Sequence, residues 1–269
     1  MSRYDSMFRA LTLRGEGALV PFVMLGDPDP AASLAIIEAL IAGGADALEL
    51  GIPFSDPIAD GPVIQRAAVR ALAAGMTPGR SLELVYQARA RHPELPIGLL
   101  TYANPVVSRG LDVFYQAAAV YGADSVLVAD VPVAEAEPFR RAARAAGVAP
   151  VFILPQDATE ATVAQVARFS EGYTYVLGRA GVTGHESRAR SDARIFAALR
   201  AAGGAPGLVG FGIGAAEQVR EVMAAGGAGV IVGSAVVELV ERYQGDERCR
   251  RIEEFVGGLK AGSRAAIGV

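Results

Sequence analysis

The chain has 269 residues, of which 52% are hydrophobic, and a formal net charge of −4. That is material for a large core, and with no basic run in the chain, nucleic acid and acidic membranes are poor partners. A single cysteine, Cys249, excludes an internal disulfide and most thiolate metal sites.

The opening residues "MSRYDSMFRALTLRGEG" carry charges at helical spacing and no apolar signal-peptide core. No stretch approaches the roughly 18 uncharged apolar residues that span a membrane. An N-terminal helix and a cytoplasmic location are expected. A strand follows at "ALVPFVML" (18–25). In "DPAASLAIIEALIAGG", Asp29 is placed to cap a helix, Pro30 takes its first position, and Leu34, Ile37 and Ile41 share one face. A pattern then recurs: a glycine-rich helix end, then a short apolar strand. It appears as "AGGADALELG" (42–51), "YGADSVLVAD" (121–130), "AGVAPVFILP" (146–155) and "AGGAGVIVGS" (225–234). Glycine suits the left-handed residue that closes a helix, and the apolar runs suit strands buried on both faces. Further strands fit at 96–102, 173–178 and 207–213, which makes eight. Amphipathic helical runs lie near 63–74, 79–91, 110–121, 134–146, 159–169, 192–202, 215–225 and 246–262. Uninterrupted alternation at this length predicts a closed (β/α)8 TIM barrel, one domain over residues 1–269. An extra N-terminal helix and extra helices in the barrel loops complete the expected fold.

Chemistry in such a barrel belongs at the C-terminal ends of its strands. The residues there are Asp27, Glu49, Tyr102, Asp130, Pro155, Arg179, Phe211–Gly214 and Gly233–Ser234. Alternation along the second strand puts Ala47, Glu49 and Gly51 on the inner face and Leu48 and Leu50 against helices. A carboxyl held there is desolvated, which raises its pKa toward a value useful for proton transfer. The alternative is a structural glutamate paired with an arginine. Asp60, on the proline-rich loop that follows, suits either a helix N-cap or a second polar contact to substrate. "GFGIGAAEQV" (210–219) and "VGSAVVELV" (232–240) are glycine-rich junctions after strands seven and eight, the usual phosphate site of a barrel. Tight turns without a ligand are the alternative. The polar stretch "RAGVTGHESRARSD" (179–192) reads as a long loop suited to a lid, with Gly181 and Gly184 as hinges, or as a disordered tip without function.

Scarcities narrow the chemistry. The one lysine, Lys260, lies on the last helical run, behind the barrel, where it cannot form a Schiff base with substrate. The two histidines, His92 and His185, do not make a metal-ligand set. Carboxylate acid–base catalysis on a phosphorylated substrate remains.

At these residues the sequence resembles the tryptophan synthase α-subunit family. The motifs are "PFVMLGDP" (21–28), "GADALELGIPFSDPIADGP" (44–62), "IGLLTYANPV" (97–106), "DSVLVADVP" (124–132), "GRAGVTG" (178–184), "GFGI" (210–213) and "GSAVV" (233–237). The resemblance implies cleavage of indole-3-glycerol phosphate to indole and glyceraldehyde 3-phosphate. It makes Glu49 and Asp60 the catalytic pair. It implies substrate contacts at Phe22, Leu100, Tyr102, Leu127, Ile153, Tyr175, Thr183 and Phe211, and phosphate contacts at Gly184, Gly212, Gly233 and Ser234. It also implies a β subunit in an α2β2 heterotetramer, with pyridoxal phosphate in the β partner and no cofactor or metal in this chain. Pro53, Asp56, Pro57, Asn104 and Asp130 would face that partner, with Val106 and Val107 as apolar surface. Met24, where the family has threonine, and Gly178 and Ala180, where it has serines, depart from its pattern. A stand-alone indole-releasing lyase and a silent barrel that only activates a β subunit are the rival readings.

Overall fold

The computed structural model describes residues 1–178 and 185–264, with the backbone alone over 185–192. The first half runs α1 (Arg3–Arg14), β1 (Ala18–Met24), α2 (Pro30–Ala42), β2 (Leu48–Gly51), α3 (Pro62–Ala73), α4 (Pro78–Arg91), β3 (Ile97–Thr101), α5 (Ala103–Val107), α6 (Leu111–Val120), β4 (Ser125–Val128), α7 (Glu137–Ala145) and β5 (Ala149–Val151). The second half runs β6 (Ile153–Pro155), α8 (Glu160–Phe169), β7 (Thr174–Leu177), α9 (His185–Ala201), β8 (Gly207–Gly210), α10 (Ala216–Ala224), β9 (Gly229–Val232), α11 (Ser234–Arg242) and α12 (Gly245–Gly262). All pairings between these strands are parallel, in the order β5-β4-β3-β2-β1-β9-β8-β7-β6. Because β5 and β6 are separated by Phe152 alone, the two ends of that order meet and the barrel closes. The expected fifth strand is thus one segment in two pieces. Its first piece pairs with β4 and its second with β7. Pro150 and Pro155 bracket the break, and neither can donate to a ladder. At the joint, the Phe152 N–H donates to Ser170 Oγ at 3.3 Å instead of to a neighbouring strand.

The helical caps follow the sequence. Ser2 and Asp5 form a capping box on α1, and Asp29 accepts the Ala32 N–H at the start of α2. Tyr4 and Leu11 bury α1 against the bottom of the barrel. Burying Leu11 contributes roughly 1.5–3 kcal/mol. The Tyr4 hydroxyl meets Ser125 Oγ at 2.9 Å, and its ring lies 5.5 Å from that of Tyr173. Gly98 makes room for this plug, since a Cβ there would sit 3.0 Å from the Tyr4 hydroxyl. On α2 the buried face is Ile36, Ile37 and Leu40, with Leu34 and Ile41 at its edges. Among the described residues three strands are followed by two helices, α3 and α4 after β2, α5 and α6 after β3, and α11 and α12 after β9, as expected of the loop helices. Among the described residues no helix is long and apolar enough to cross a membrane.

One expected element is corrected. Helix α9 begins at His185, so most of the supposed loop 179–192 is helical. Its arginines, alanines and Glu186 favour helix, and with few apolar positions the segment shows no amphipathic period. Residues 179–184, with Arg179, Ala180, Gly181, Thr183 and Gly184, lie outside the described residues, as does the His185 side chain.

Candidate active site

A cavity of about 250 Å³ opens at the C-terminal end of the barrel. Glu49 and Asp60 line it, together with Phe22, Leu100, Tyr175, Phe211, Gly212, Gly233 and Ser234. Nine of the residues anticipated from sequence therefore share one wall. Sequence reasoning missed Val63 and Ile64 of α3 and Ile231, which with Ile213 of the anticipated 211–214 junction make the cavity apolar around its two carboxylates.

Glu49 points inward because β2 alternates as expected. It is opposite Phe22 in register, and only 1% of it is exposed. No arginine among the described residues holds it. The Tyr173 hydroxyl donates to Glu49 Oε1 at 2.7 Å. Burial pushes its pKa up to about 7, helped by the charge of Asp60 and opposed by the Tyr173 bond. Such a group is both a competent acid and a competent base near neutrality. Tyr173 is a functional neighbour that sequence reasoning did not find; in the chain it is one more aromatic at the head of a strand.

Asp60 is not a cap. The N-cap of α3 is Gly61, without a side-chain bond, followed by Pro62 at the first helical position. Asp60 Oδ2 is buried with no hydrogen-bond partner among the described residues. An unpaired buried carboxylate oxygen is costly unless a ligand meets it. Burial raises the Asp60 pKa to about 6, with the Tyr102 hydroxyl acting against the shift. Tyr102 does not line the cavity, contrary to expectation; it is buried behind the loop. Its hydroxyl accepts the Ala59 N–H at 3.2 Å and its ring lies 5.5 Å from Phe54, so it holds the 53–60 segment from beneath. Leu127 is likewise in the core and Ile153 packs partly buried against it; neither is on the cavity wall.

The two glycine-rich junctions differ. At the first, the Gln218 side chain accepts the Gly214 and Ala215 N–H groups at 2.8 and 3.0 Å and donates to the Gly212 carbonyl at 2.7 Å. The start of α10 is therefore closed by its own residue. At the second, the N-cap Gly233 has no side-chain cap, and α11 presents its first turn to the cavity. Phe211 and Gly212 both have positive φ, 87° and 74°, which turns the chain after β8 into the cavity wall.

The other anticipated residues are placed elsewhere. Asp27 is buried and gripped by Arg70. Lys260 is at the opposite end of the barrel, bonded to Asp46 at 2.8 Å and Glu16 at 3.3 Å. His92 closes α4 and meets Glu38 at 2.9 Å, also away from the cavity. At the mouth, Asp56 and Asn104 are exposed, while Pro57 is half-buried and Pro53 buried. Asp130 accepts the Ala103 N–H at 2.7 Å and so starts α5. Val106 is a correction: it is fully buried, and Val107 alone of the pair presents apolar surface.

A family profile for the tryptophan synthase alpha chain matches residues 8–264. The chain belongs to the tryptophan synthase alpha chain family. It is 54% identical to the tryptophan synthase alpha chain of Klebsiella pneumoniae, over 99% of this chain and 100% of that one. The alpha chain from Legionella pneumophila superposes with a TM-score of 0.89 at 29% identity, covering 100% of both chains. A chain of Mycobacterium tuberculosis tryptophan synthase gives 0.88 at 30%, covering 98% of this chain and 99% of that one. Family membership makes this chain a carbon–carbon lyase of tryptophan biosynthesis that cleaves indole-3-glycerol phosphate.

Proposed function

We propose that Glu49 and Asp60 divide the work of this cleavage, with the phosphate held at the start of α11. One observation carries the reading. A buried glutamate titrating near neutrality shares an apolar cavity with an aspartate oxygen that has no partner among the described residues. Protonated Glu49 delivers its proton to indole C3, which leaves positive charge on the ring nitrogen. Asp60 accepts a hydrogen bond from the ring N–H and offsets that charge. Ionised Glu49 then takes the proton of the hydroxyl on the adjoining side-chain carbon. The carbon–carbon bond breaks, its electrons return to the ring, and the hydroxyl carbon becomes the aldehyde of glyceraldehyde 3-phosphate. The proton on C3 stays with the indole, and Glu49 ends protonated, as it began. Phe22, Leu100, Tyr175, Phe211 and Ile64 enclose the ring, while the N–H groups of Gly233 and Ser234, with Gly212 nearby, meet the phosphate.

The partner reading is part of the proposal. The mouth of the barrel faces a β subunit in an α2β2 assembly, with pyridoxal phosphate on the β side, in the cytoplasm. This chain is one domain and contributes no cofactor. The exposed side chains of Ile58 and Val107, 82% and 56% accessible, support an interface there, beside Asp56 and Asn104. The test is indole release from indole-3-glycerol phosphate by the wild type and by Glu49→Gln. The variant is expected to fall well below a tenth of wild-type turnover, a loss exceeding about 1.4 kcal/mol. Retention of more than a tenth removes Glu49 from the acid–base role.

A further inference from the structure

Two neighbouring helices line the cavity. Helix α3 starts directly behind Asp60, and its first turn forms the wall beside the carboxylates. Helix α11 starts at Ser234, at the end assigned above to phosphate. The two helices pack on one another, and both pack on β1. Arg66 and Arg70 are one turn apart on α3 and face the same way. Arg66 Nε and Nη2 each donate to Glu241 at 2.8 Å. Arg70 Nη1 donates to Glu241 at 3.0 Å, while its Nε and Nη2 donate to the two oxygens of Asp27 at 2.7 and 2.9 Å. Glu241 is in the last turn of α11, where the helix dipole disfavours a carboxylate. Asp27, at the end of the first strand segment, is 3% exposed. Neither acid is placed to stabilise its own element. Both are met by arginine forks, which fix angle as well as distance.

We propose that Arg66, Arg70 and Glu241 form a clamp that keeps the phosphate end of α11 in register with Asp60, so that residues which never touch substrate set its affinity. The inference rests on the phosphate assignment made above. Arg70 has a second task, because without it Asp27 is a buried carboxylate with its two bonds lost. The clamp is therefore tested at its outer pair, where Arg66 and Glu241 side chains are 52% and 33% accessible and the fold tolerates their neutralisation.

Wild type, Arg66→Gln, Glu241→Gln and the double variant are titrated with glycerol 3-phosphate, following the amides of Gly233 and Ser234 by NMR. The KM and kcat for indole-3-glycerol phosphate are measured in parallel. Each single variant is expected to weaken glycerol 3-phosphate about fivefold and to raise KM by a similar factor, with kcat changed less than about twofold. The double variant is expected to be no worse than Glu241→Gln alone, since that variant already loses the Arg66 contact along with the Arg70 one. If glycerol 3-phosphate perturbs Gly233 and Ser234 in the wild type but binds all variants equally well, the clamp is refuted and the phosphate site stands. Additive losses, or a fall in kcat at constant KM, also overturn the clamp. If the wild type responds at other strand ends instead, the phosphate assignment fails and takes the clamp with it.

Discussion

Replacing Glu49 by glutamine should stabilise the fold progressively as pH rises, even as it destroys activity. In the unfolded chain the carboxyl ionises near 4.5, and in the fold burial moves it to about 7. Below 4.5 the group is neutral in both states and carries no penalty. Between 4.5 and 7 the unfolded chain gives up a proton that the folded chain retains, so wild-type stability falls with rising pH. Above 7 both states are ionised and the loss is complete, at about 3 kcal/mol for a shift of this size. Glutamine is neutral throughout and escapes this loss. Its amide oxygen still accepts from Tyr173, but its NH2 group brings a buried donor costing about 1–3 kcal/mol at every pH. The diagnostic quantity is therefore the pH dependence of the stability difference. Urea unfolding of both proteins between pH 5 and 8.5 should show the variant gaining on the wild type by about 2–3 kcal/mol across that range, levelling off above pH 7. A difference that stays flat from pH 5 to 8.5 would refute the desolvation of Glu49, and with it the account of its acid–base competence.

Tyr173→Phe removes a bond that favours ionised Glu49, and such bonds contribute about 1.5–3 kcal/mol; the pKa of Glu49 and the associated limb of the kcat/KM pH profile should move up by roughly 1–2 units. An unmoved profile would show that Tyr173 does not tune the acid–base. Gly233→Ala should fold normally, because the new Cβ finds Phe22 no closer than 3.7 Å. By crowding the phosphate it should raise KM about tenfold; an unchanged KM would put the phosphate elsewhere. Adding a β subunit should raise indole release at least about tenfold, a coupling near 1.4 kcal/mol. Asp56→Ala should diminish that rise more than the isolated rate, and equal rates with and without bound β subunit would favour a stand-alone lyase.

The barrel was legible because each glycine helix end announces a buried strand, and Glu49 was legible because alternation forces a carboxylate to the inside of β2. Asp60 was legible only as a choice. Gly61 and Pro62 are themselves good helix-start residues, and a shift of one position decides between a cap and a substrate contact. Tyr173 stayed hidden because its bond to Glu49 joins residues 124 apart in the chain. Gln218 stayed hidden because a polar residue near a helix start reads as solvated, yet here it closes the α10 junction. Arg66 and Arg70 lie in the helical run near 63–74, and nothing in its period points to a partner. Their carboxylate partners come from distant parts of the chain, and only the fold brings them together.

The divided fifth strand ties the two ends of the strand order together, one half to each side. At the joint the Phe152 N–H goes to a serine hydroxyl at 3.3 Å, while its carbonyl accepts the Tyr175 N–H at 3.1 Å. Because the chain runs unbroken through Phe152, the ring opens here only by losing the short ladder of β5 on β4 or that of β6 on β7, and the other strands then remain one continuous sheet. Glu49 on β2 and Tyr173, just ahead of β7, lie on opposite sides of this joint. The 2.7 Å bond between them spans the barrel interior, so closure of the ring and tuning of the buried glutamate rest on the same few residues.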